Sequence, residues 1–511
     1  MRRTLCLAAV ALVTAAGLVA CGDDSDPAQG PAASAAPGKG GVLTLAAAQA
    51  VKEINPALKG TAYEQNLFTL LWNGLVKIGE SNALEPDLAT SWKSDAALKV
   101  WTFQLRPGVK FSNGKALTAD DVVKTFRYYQ DDKTATQLKN NVEPITNVEA
   151  SGPATVVFTL KTANALFPSS IEQVKIIDLA ALDTMATKPA VTGPFRVKEF
   201  VANETLTLER NPDYFGTPPP LDGIKFVKAA DAAAAVTSLR SGAIDALWSV
   251  PLSDIRNLEQ AGNVILKPKV ISQYVSLEVD TRTAPFSNPK VREALAYAFD
   301  QKAILKAAYF DQGVVSTTNN PLPANDPNYA GNLTDYTYNP QKAKALFEEA
   351  GVKELTYWGV SNQYPEWKVM GQILQASLKD IGVNLKIENT EIATWAEKFY
   401  PAGKQFGGLI VPNFQSFAFG AENQFRFPLS GRCECNWNNK QFDDLYNQAL
   451  ATADDTARKA IWGQLQELVN KEAPIFVPLQ FVTATATNKK VRGAWVDSAG
   501  DIHLETAGLA G

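Results

Sequence analysis

Beyond Pro285 the apolar residues alternate between two spacings, and that alternation constrains the fold more than any other feature of the chain. Pro289 stands at a helix start, and Val291, Leu295, Ala298 and Phe299 share one face. Asn339-Pro340 opens a second helix that Gly351 stops. Met370, Ile373, Leu374, Leu378 and Ile381 follow at helical spacing, Gly382 ends that helix, and VNLKIEN alternates as a strand. A last long helix, about 455–472, uses Ile461, Leu465, Leu468 and Val469; Pro474 closes it, and IFVPLQFV returns as a strand. Helices and strands in alternation imply a twisted sheet covered by helices. With 511 residues there is room for about three domains, so no metal or disulfide staple is needed for a core.

Upstream the texture is β-rich. GVLTLAAA at 41–48 is the first strand. In KVWTFQLR, residues 99–106, Trp101, Phe103 and Leu105 point one way and Thr102 and Gln104 the other. Pro107-Gly108 and Asn113-Gly114 are turn dipeptides. Thr118 then caps a helix whose first turn carries Asp120 and Asp121, where the dipole favours negative charge. ATVVFTLK, 154–161, is placed to pair with the first of these strands in a small antiparallel sheet, and FRVKEFVANETLTLER, 195–210, reads as a hairpin. There is no internal repeat and no coiled coil.

The first 41 residues stand apart. MRRTLCLAAVALVTAAGLVAC has a short basic start and an apolar run from Leu5 to about Val19, too short to span a membrane: a secretory signal, residues 1–20. Leu18-Val19-Ala20-Cys21 resembles a bacterial lipobox, which implies cleavage before Cys21 and lipid on its sulfur. Acyl chains contribute ~0.8 kcal/mol per buried CH₂, and more than one is needed to hold a soluble body at a membrane. Residues 21–40 hold no aliphatic side chain larger than alanine beyond Cys21 and read as a flexible tether. The body is therefore expected outside the cytoplasmic membrane of a bacterium, anchored by lipid to its outer face.

Composition removes several functions. With 49 basic and 53 acidic residues the net charge is −4, which offers no excess for a nucleic acid backbone. His503 is the single histidine, which excludes most Ser-His-Asp, Cys-His and multi-histidine metal chemistry. No G-x-S-x-G, P-loop or metal-ligand cluster is present. The acid pairs Asp120-Asp121 and Asp443-Asp444 are adjacent in sequence and point apart on a helix. Neither an enzyme, nor a cofactor, nor a metal is expected. Cys433-Glu434-Cys435 should be oxidised outside the cytoplasm, through a strained short ring, an intermolecular bridge or a soft-metal site.

Four segments then resemble, in order, the family 5 extracellular solute-binding proteins of ABC importers, the group of oligopeptide, dipeptide and nickel binders. They are LEPDLATSWKSDAALKVWTFQLRPGVKFSNGKALTADDVV, TGPFRVKEFVANETLTLERNPDYF, APFSNPKVREALAYAFDQKAIL, and KEAPIFVPLQF followed by KKVRGAWVD. The resemblance implies an α/β clamshell of two lobes joined by a hinge of two strands. The first lobe would be built from 41–65, 190–285 and 480–511, with an extra α/β subdomain, 66–189, inserted in it; the second would cover 286–479. A solute would be captured between the lobes and delivered to membrane permease subunits by a monomer.

The chain departs from the peptide binders at one point. Those relatives carry an aspartate, just after a Gly-Trp in the second lobe, that pairs with the peptide's α-ammonium. Here Val411-Pro412 replaces Gly-Trp, residues 413–416 contain no acid, and Glu422 is the nearest carboxylate. A buried ammonium without a counter-charge is costly. Aromatic residues dominate instead, with Asn and Gln at their edges, which suits a neutral amphipathic solute such as an oligosaccharide as well as a peptide. The candidate ligand contacts are Trp72, Trp248, Tyr274, Trp358, Trp395, Asn413, Phe414 and Phe417, with Cys21 as the lipid attachment site.

Overall fold

The computed structural model describes residues 40–510 apart from 59, 268–270, 361–363, 400–405, 417–419 and 433. The signal, nearly all of the tether and Cys21 lie outside the described residues. Three sheets organise the rest. The first has seven strands, ordered Val264–Leu266, Thr485–Thr487, Ala246–Leu247, Val42–Ala47, Gly223–Lys228, Thr205–Arg210 and Phe195–Val201. Val42–Ala47 is its parallel centre, and Phe195–Val201 with Thr205–Arg210 is the hairpin expected from the sequence. The second has six, ordered Gly313–Val315, Ile475–Phe481, Gln273–Glu278, Leu409–Ser416, Glu354–Val360 and Asn384–Thr390. The third is a small antiparallel sheet of Ala89–Ser94, Val100–Leu105, Thr155–Leu160 and Ile145–Ala150.

Local signals set most element ends. In Val100–Leu105 the side chains of Trp101, Phe103 and Leu105 are buried and Gln104 is exposed, as the alternation requires. The Ala119–Gln130 helix starts where Asp121 accepts the Thr118 N–H at 2.9 Å. Pro340–Ala350 begins with the Asn339 side chain accepting from Lys342 and ends at Gly351 with φ +69°. The Thr-Gly-Pro-Phe turn needs its glycine: a Cβ on Gly193 would stand 2.6 Å from the Leu70 carbonyl oxygen.

One apolar cluster runs without a break from the first sheet (Leu43, Leu45, Leu208, Ile224) into the small sheet (Trp101, Phe103, Phe158), so these two share a core. The second sheet has its own cores on both faces, with Val275, Leu277 and Phe476 on one side and Tyr274, Ile475 and Val477 on the other. Residues Gln273–Glu278 are buried throughout and pair in this second sheet. The chain thus leaves the first sheet at Leu266, ahead of the boundary at 285 that the change of texture suggested. Pro285 precedes the first helix of the second lobe, not its first strand. The return runs from Phe481 to Thr485, two residues past the expected 479.

Candidate functional site

The two crossings fix where a cleft must lie. Val264–Leu266 is antiparallel to Thr485–Thr487, which is antiparallel to Ala246–Leu247, itself parallel to Val42–Ala47. The parallel strands of the first sheet therefore all point their carboxyl ends toward the crossings. Gln273–Glu278 enters from the first crossing and is antiparallel to Leu409–Ser416 and Ile475–Phe481, while Glu354–Val360 and Asn384–Thr390 run parallel to Leu409–Ser416. The carboxyl ends of four strands of the second sheet thus face the same way. Ligands of open α/β sheets bind outside the carboxyl ends of strands and at domain interfaces.

The crossings are bonded into one hinge. Gln273 Oε1 accepts from the Thr483 N–H at 3.2 Å and its hydroxyl at 3.0 Å, and Gln273 Nε2 donates to the Ala499 carbonyl at 2.8 Å. The Ser272 hydroxyl donates to the Ser498 carbonyl at 2.7 Å. The C-terminal segment thereby ties the two strands of the hinge together.

Topology brings Trp248, Tyr274, Trp358, Asn413 and the backbone of Phe414 to these strand ends; their surroundings differ. Trp248 follows Ala246–Leu247 and stays half-buried, its ring 5.1 Å from that of Tyr63. The helix that carries Tyr63, Ala62–Phe68, is set by a capping box between Thr61 and Glu64. Trp358 lies two residues from its strand's end and is buried in the second-lobe core, with the Lys398 ammonium 4.6 Å above its ring. Phe417 and the side chain of Phe414 lie outside the described residues.

Four of the other expected contacts are buried within a core or a sheet. Tyr274 is fully buried on the opposite face of the second sheet from Trp358. Trp395 is buried between Trp367, 5.5 Å away, and Phe399, 4.6 Å away. Asn413 is buried and its amide donates to Glu278 Oε1 at 3.1 Å, inside the sheet. Trp72 belongs to the first-lobe core, where its indole donates to the Ala190 carbonyl at 3.1 Å. For Tyr274 and Asn413, which lie on strands, a single residue of register decides the face, and sequence alone does not show strand partners; Trp395 lies on the helix Ile392–Phe399 and Trp72 just after the helix Ala62–Phe68. Sequence reasoning misses Glu278, an acid fully buried at the end of the strand Gln273–Glu278.

Trp72 also lines a cavity of about 130 Å³ within the first lobe, next to the C-terminal segment. This is a charged place. His503 sits 3.2 Å from Asp497 and 3.4 Å from Glu505 and stacks flat on Trp495 at 3.7 Å. Burial opposes its charge, but Glu505 and Asp497 push its pKa up to about 10. Burial and then the neighbouring Asp497 push Asp501 up to about 8. Burial raises Asp87 to about 6 despite the Asn73 amide at 2.8 Å. In the second lobe, burial raises Glu422 to about 7 although the Ser169 hydroxyl donates to it. Cys435 is fully buried and disulfide-bonded, and the other three cysteines lie outside the described residues. Among the described residues no group of three or more His, Cys, Asp or Glu could hold a metal, and no helix is long and apolar enough to cross a membrane.

Two lobes hinged by two strands, with strand ends converging on the hinge, define a clamshell binding protein. The model for bacterial extracellular solute-binding proteins, family 5 (middle), matches residues 83–409, and the chain belongs to that family. It is 29% identical over 538 aligned residues to heme-binding protein A of Haemophilus influenzae, covering 96% of each chain. It is 28% identical over 504 residues to the dipeptide-binding protein of Escherichia coli, covering 89% of this chain and 92% of that one. The ABC transporter substrate binding protein CtaP of Listeria monocytogenes superposes with a TM-score of 0.83 at 24% identity, over 93% of this chain and all of that one. The protein is an extracytoplasmic solute-binding component of an ABC importer, not an enzyme.

Proposed function

We propose that this chain is a lipid-anchored receptor that captures a peptide-like solute between its lobes and hands it, unaltered, to the permease of an ABC importer. The convergence of strand carboxyl ends from both sheets on a bonded hinge carries this reading. The names of the relatives support the peptide class, since one is a dipeptide-binding protein. In this reading the lobes divide near the two crossings, the small sheet is an insert in the first lobe, and Cys21 carries the lipid. Trp248 and Trp358 are the described aromatic contacts, one from each lobe, and Phe414 and Phe417 are proposed as further contacts. A ligand that bridges both lobes favours the closed form by its differential affinity and no more.

A neutral amphipathic solute such as an oligosaccharide is the second reading. Residues 413–416 offer no acid, and the Asn413 amide is already engaged by Glu278. Native mass spectrometry of protein purified from its own host separates the two. A co-purified peptide supports the first reading, a glycan the second, and a covalently changed product would remove the receptor assignment altogether. Trp248→Ala is expected to weaken binding of the recovered solute by ~1 kcal/mol or more, read by calorimetry. A loss below ~0.5 kcal/mol returns Trp248 to the core.

A further inference from the structure

The chain links the small sheet to the second lobe only through the first lobe and the two crossings, yet the two touch directly. After the last strand of the small sheet, the Ala165 N–H donates to the Leu450 carbonyl at 2.7 Å. Leu166 packs against the second-lobe cluster that holds Phe425, Phe442 and Trp462. One turn on, the Ser169 hydroxyl donates to Glu422 Oε1 at 3.1 Å. Arg426 reaches back, its Nη2 donating to the Asn140 carbonyl at 2.8 Å. An apolar plug, a backbone bond and two side-chain bonds therefore hold the lobes together without any solute.

Glu422 is the titratable member of this contact. It is buried, with 8% of its surface exposed, and the Tyr446 hydroxyl donates to its backbone carbonyl at 2.9 Å. Asp326 opposes its ionisation, and Arg458 favours it. The Ser169 hydroxyl is its hydrogen-bond partner from across the lobes.

We propose that residues 165–170 form a latch that fastens the small sheet to the second lobe when the clamshell is shut, and that Glu422 makes the latch release as the pH rises. Shutting buries the Glu422 carboxyl and opening returns it to water. The latched form holds the carboxyl near 7, against an ordinary 4.5 in water, so the latched form binds the extra proton. Its contribution to closure is then complete below about 4.5 and lost as the pH climbs through about 7. The ratio of shut to open molecules should fall by roughly 10²-fold across that window, at a factor of ten per pKa unit. This goes beyond the solute reading, and its test uses no solute.

Small-angle scattering of the solute-free full chain at pH 5 and pH 8 tests it, with thermal melts confirming that each variant is folded. Wild type should expand between the two pH values. Glu422→Gln should stay compact at both, because the amide still accepts from Ser169 and does not titrate. Ser169→Ala and Leu166→Ala should be expanded already at pH 5. A wild-type curve unchanged between pH 5 and pH 8, or a pH response that survives in Glu422→Gln, overturns the proposal. So does a Ser169→Ala and Leu166→Ala pair that scatters like wild type at pH 5. Because Ser169 is only partly buried and makes a single interlobe bond, its variant keeps the test readable if Leu166→Ala does not fold.

Discussion

In the first lobe the C-terminal segment buries ions: His503 with Asp497 and Glu505, and Asp501, Lys175 and Asp87 around the same cavity. In the second lobe the chain buries rings: Trp367 against Trp395, Trp395 against Phe399, Phe399 against Phe406. Ionic cores are specific in geometry but costly to desolvate, and breaking one partner strands the others. Aromatic cores lose contact area and leave a cavity when truncated, with little regard to pH. The segment that is stitched by charge also ties the hinge, through Ser498 and Ala499. The first lobe thus adds a buried ionic cluster at its hinge segment to its apolar core, and the second lobe adds a run of packed rings to its own.

The sharpest way to break that comparison is to cut one partner from each side. Trp395→Ala should cost ~3–5 kcal/mol, the usual loss for a large ring removed from a packed core. Urea denaturation should show that loss unchanged between pH 6 and pH 9. His503→Gln should cost somewhat less, ~2–3 kcal/mol, because the side chain is 13% exposed and the ions left behind can take up water. Its loss should depend on pH, and the sign follows from the two protonation states. His503 is raised from 6.5 to about 10, so its contribution is complete below 6.5 and disappears as the pH rises through about 10. Asp501, raised from 3.8 to about 8, adds a loss that accumulates as the pH rises from about 3.8 and is complete just past about 8. Wild type should therefore lose stability from pH 7 to pH 10, and His503→Gln should flatten that slope. An equal slope in the variant would place the alkaline weakness elsewhere.

How legible these regions were in the sequence follows from how local their causes are. The helix starts at Thr118, Pro289 and Asn339-Pro340, the stop at Gly351 and the alternation from Trp101 to Leu105 each depend on a few neighbouring residues, and the structure bears them out. The structure adds the helices Gln301–Tyr309 and Lys440–Leu450, which Asp300 and Asn439 cap by the same chemistry. What the sequence could not carry was pairing. Nothing in QYVSLE shows that it lies between Leu409–Ser416 and Ile475–Phe481 and so belongs to the second lobe. For the same reason Tyr274 and Asn413, expected to face a solute, are buried in the sheet. His503 was visible as a lone histidine, and Asp497 and Glu505 as acids nearby, but their burial depends on the polar face of the helix at 62–68, far away in the chain.

That helix gives an intermediate effect. Thr61→Ala removes the hydroxyl that accepts the Glu64 N–H at 3.2 Å and should cost ~1 kcal/mol, the usual loss of a capping side chain. Because the helix seats Tyr63 against Trp248, the change should also alter Trp248 fluorescence, which a purely global loss of stability would leave untouched below the unfolding transition.

The smallest effect sharpens the comparison at its border. Lys398 lies over Trp358 at 4.6 Å, a cation on a ring at the edge of the aromatic lobe. The lysine is exposed, so its loss in Lys398→Gln should change stability by only ~0.5 kcal/mol. The ring beneath matters more than the energy. If Trp358 serves the cleft, uncovering its face should change solute affinity by more than it changes stability, in either direction. If Trp358 is only part of the core, calorimetry with the recovered solute should give the same affinity for Lys398→Gln and wild type, while Trp358→Ala destabilises the lobe as Trp395→Ala does. That pair of measurements decides whether the aromatic lobe stops at its packing or presents one of its rings to the solute.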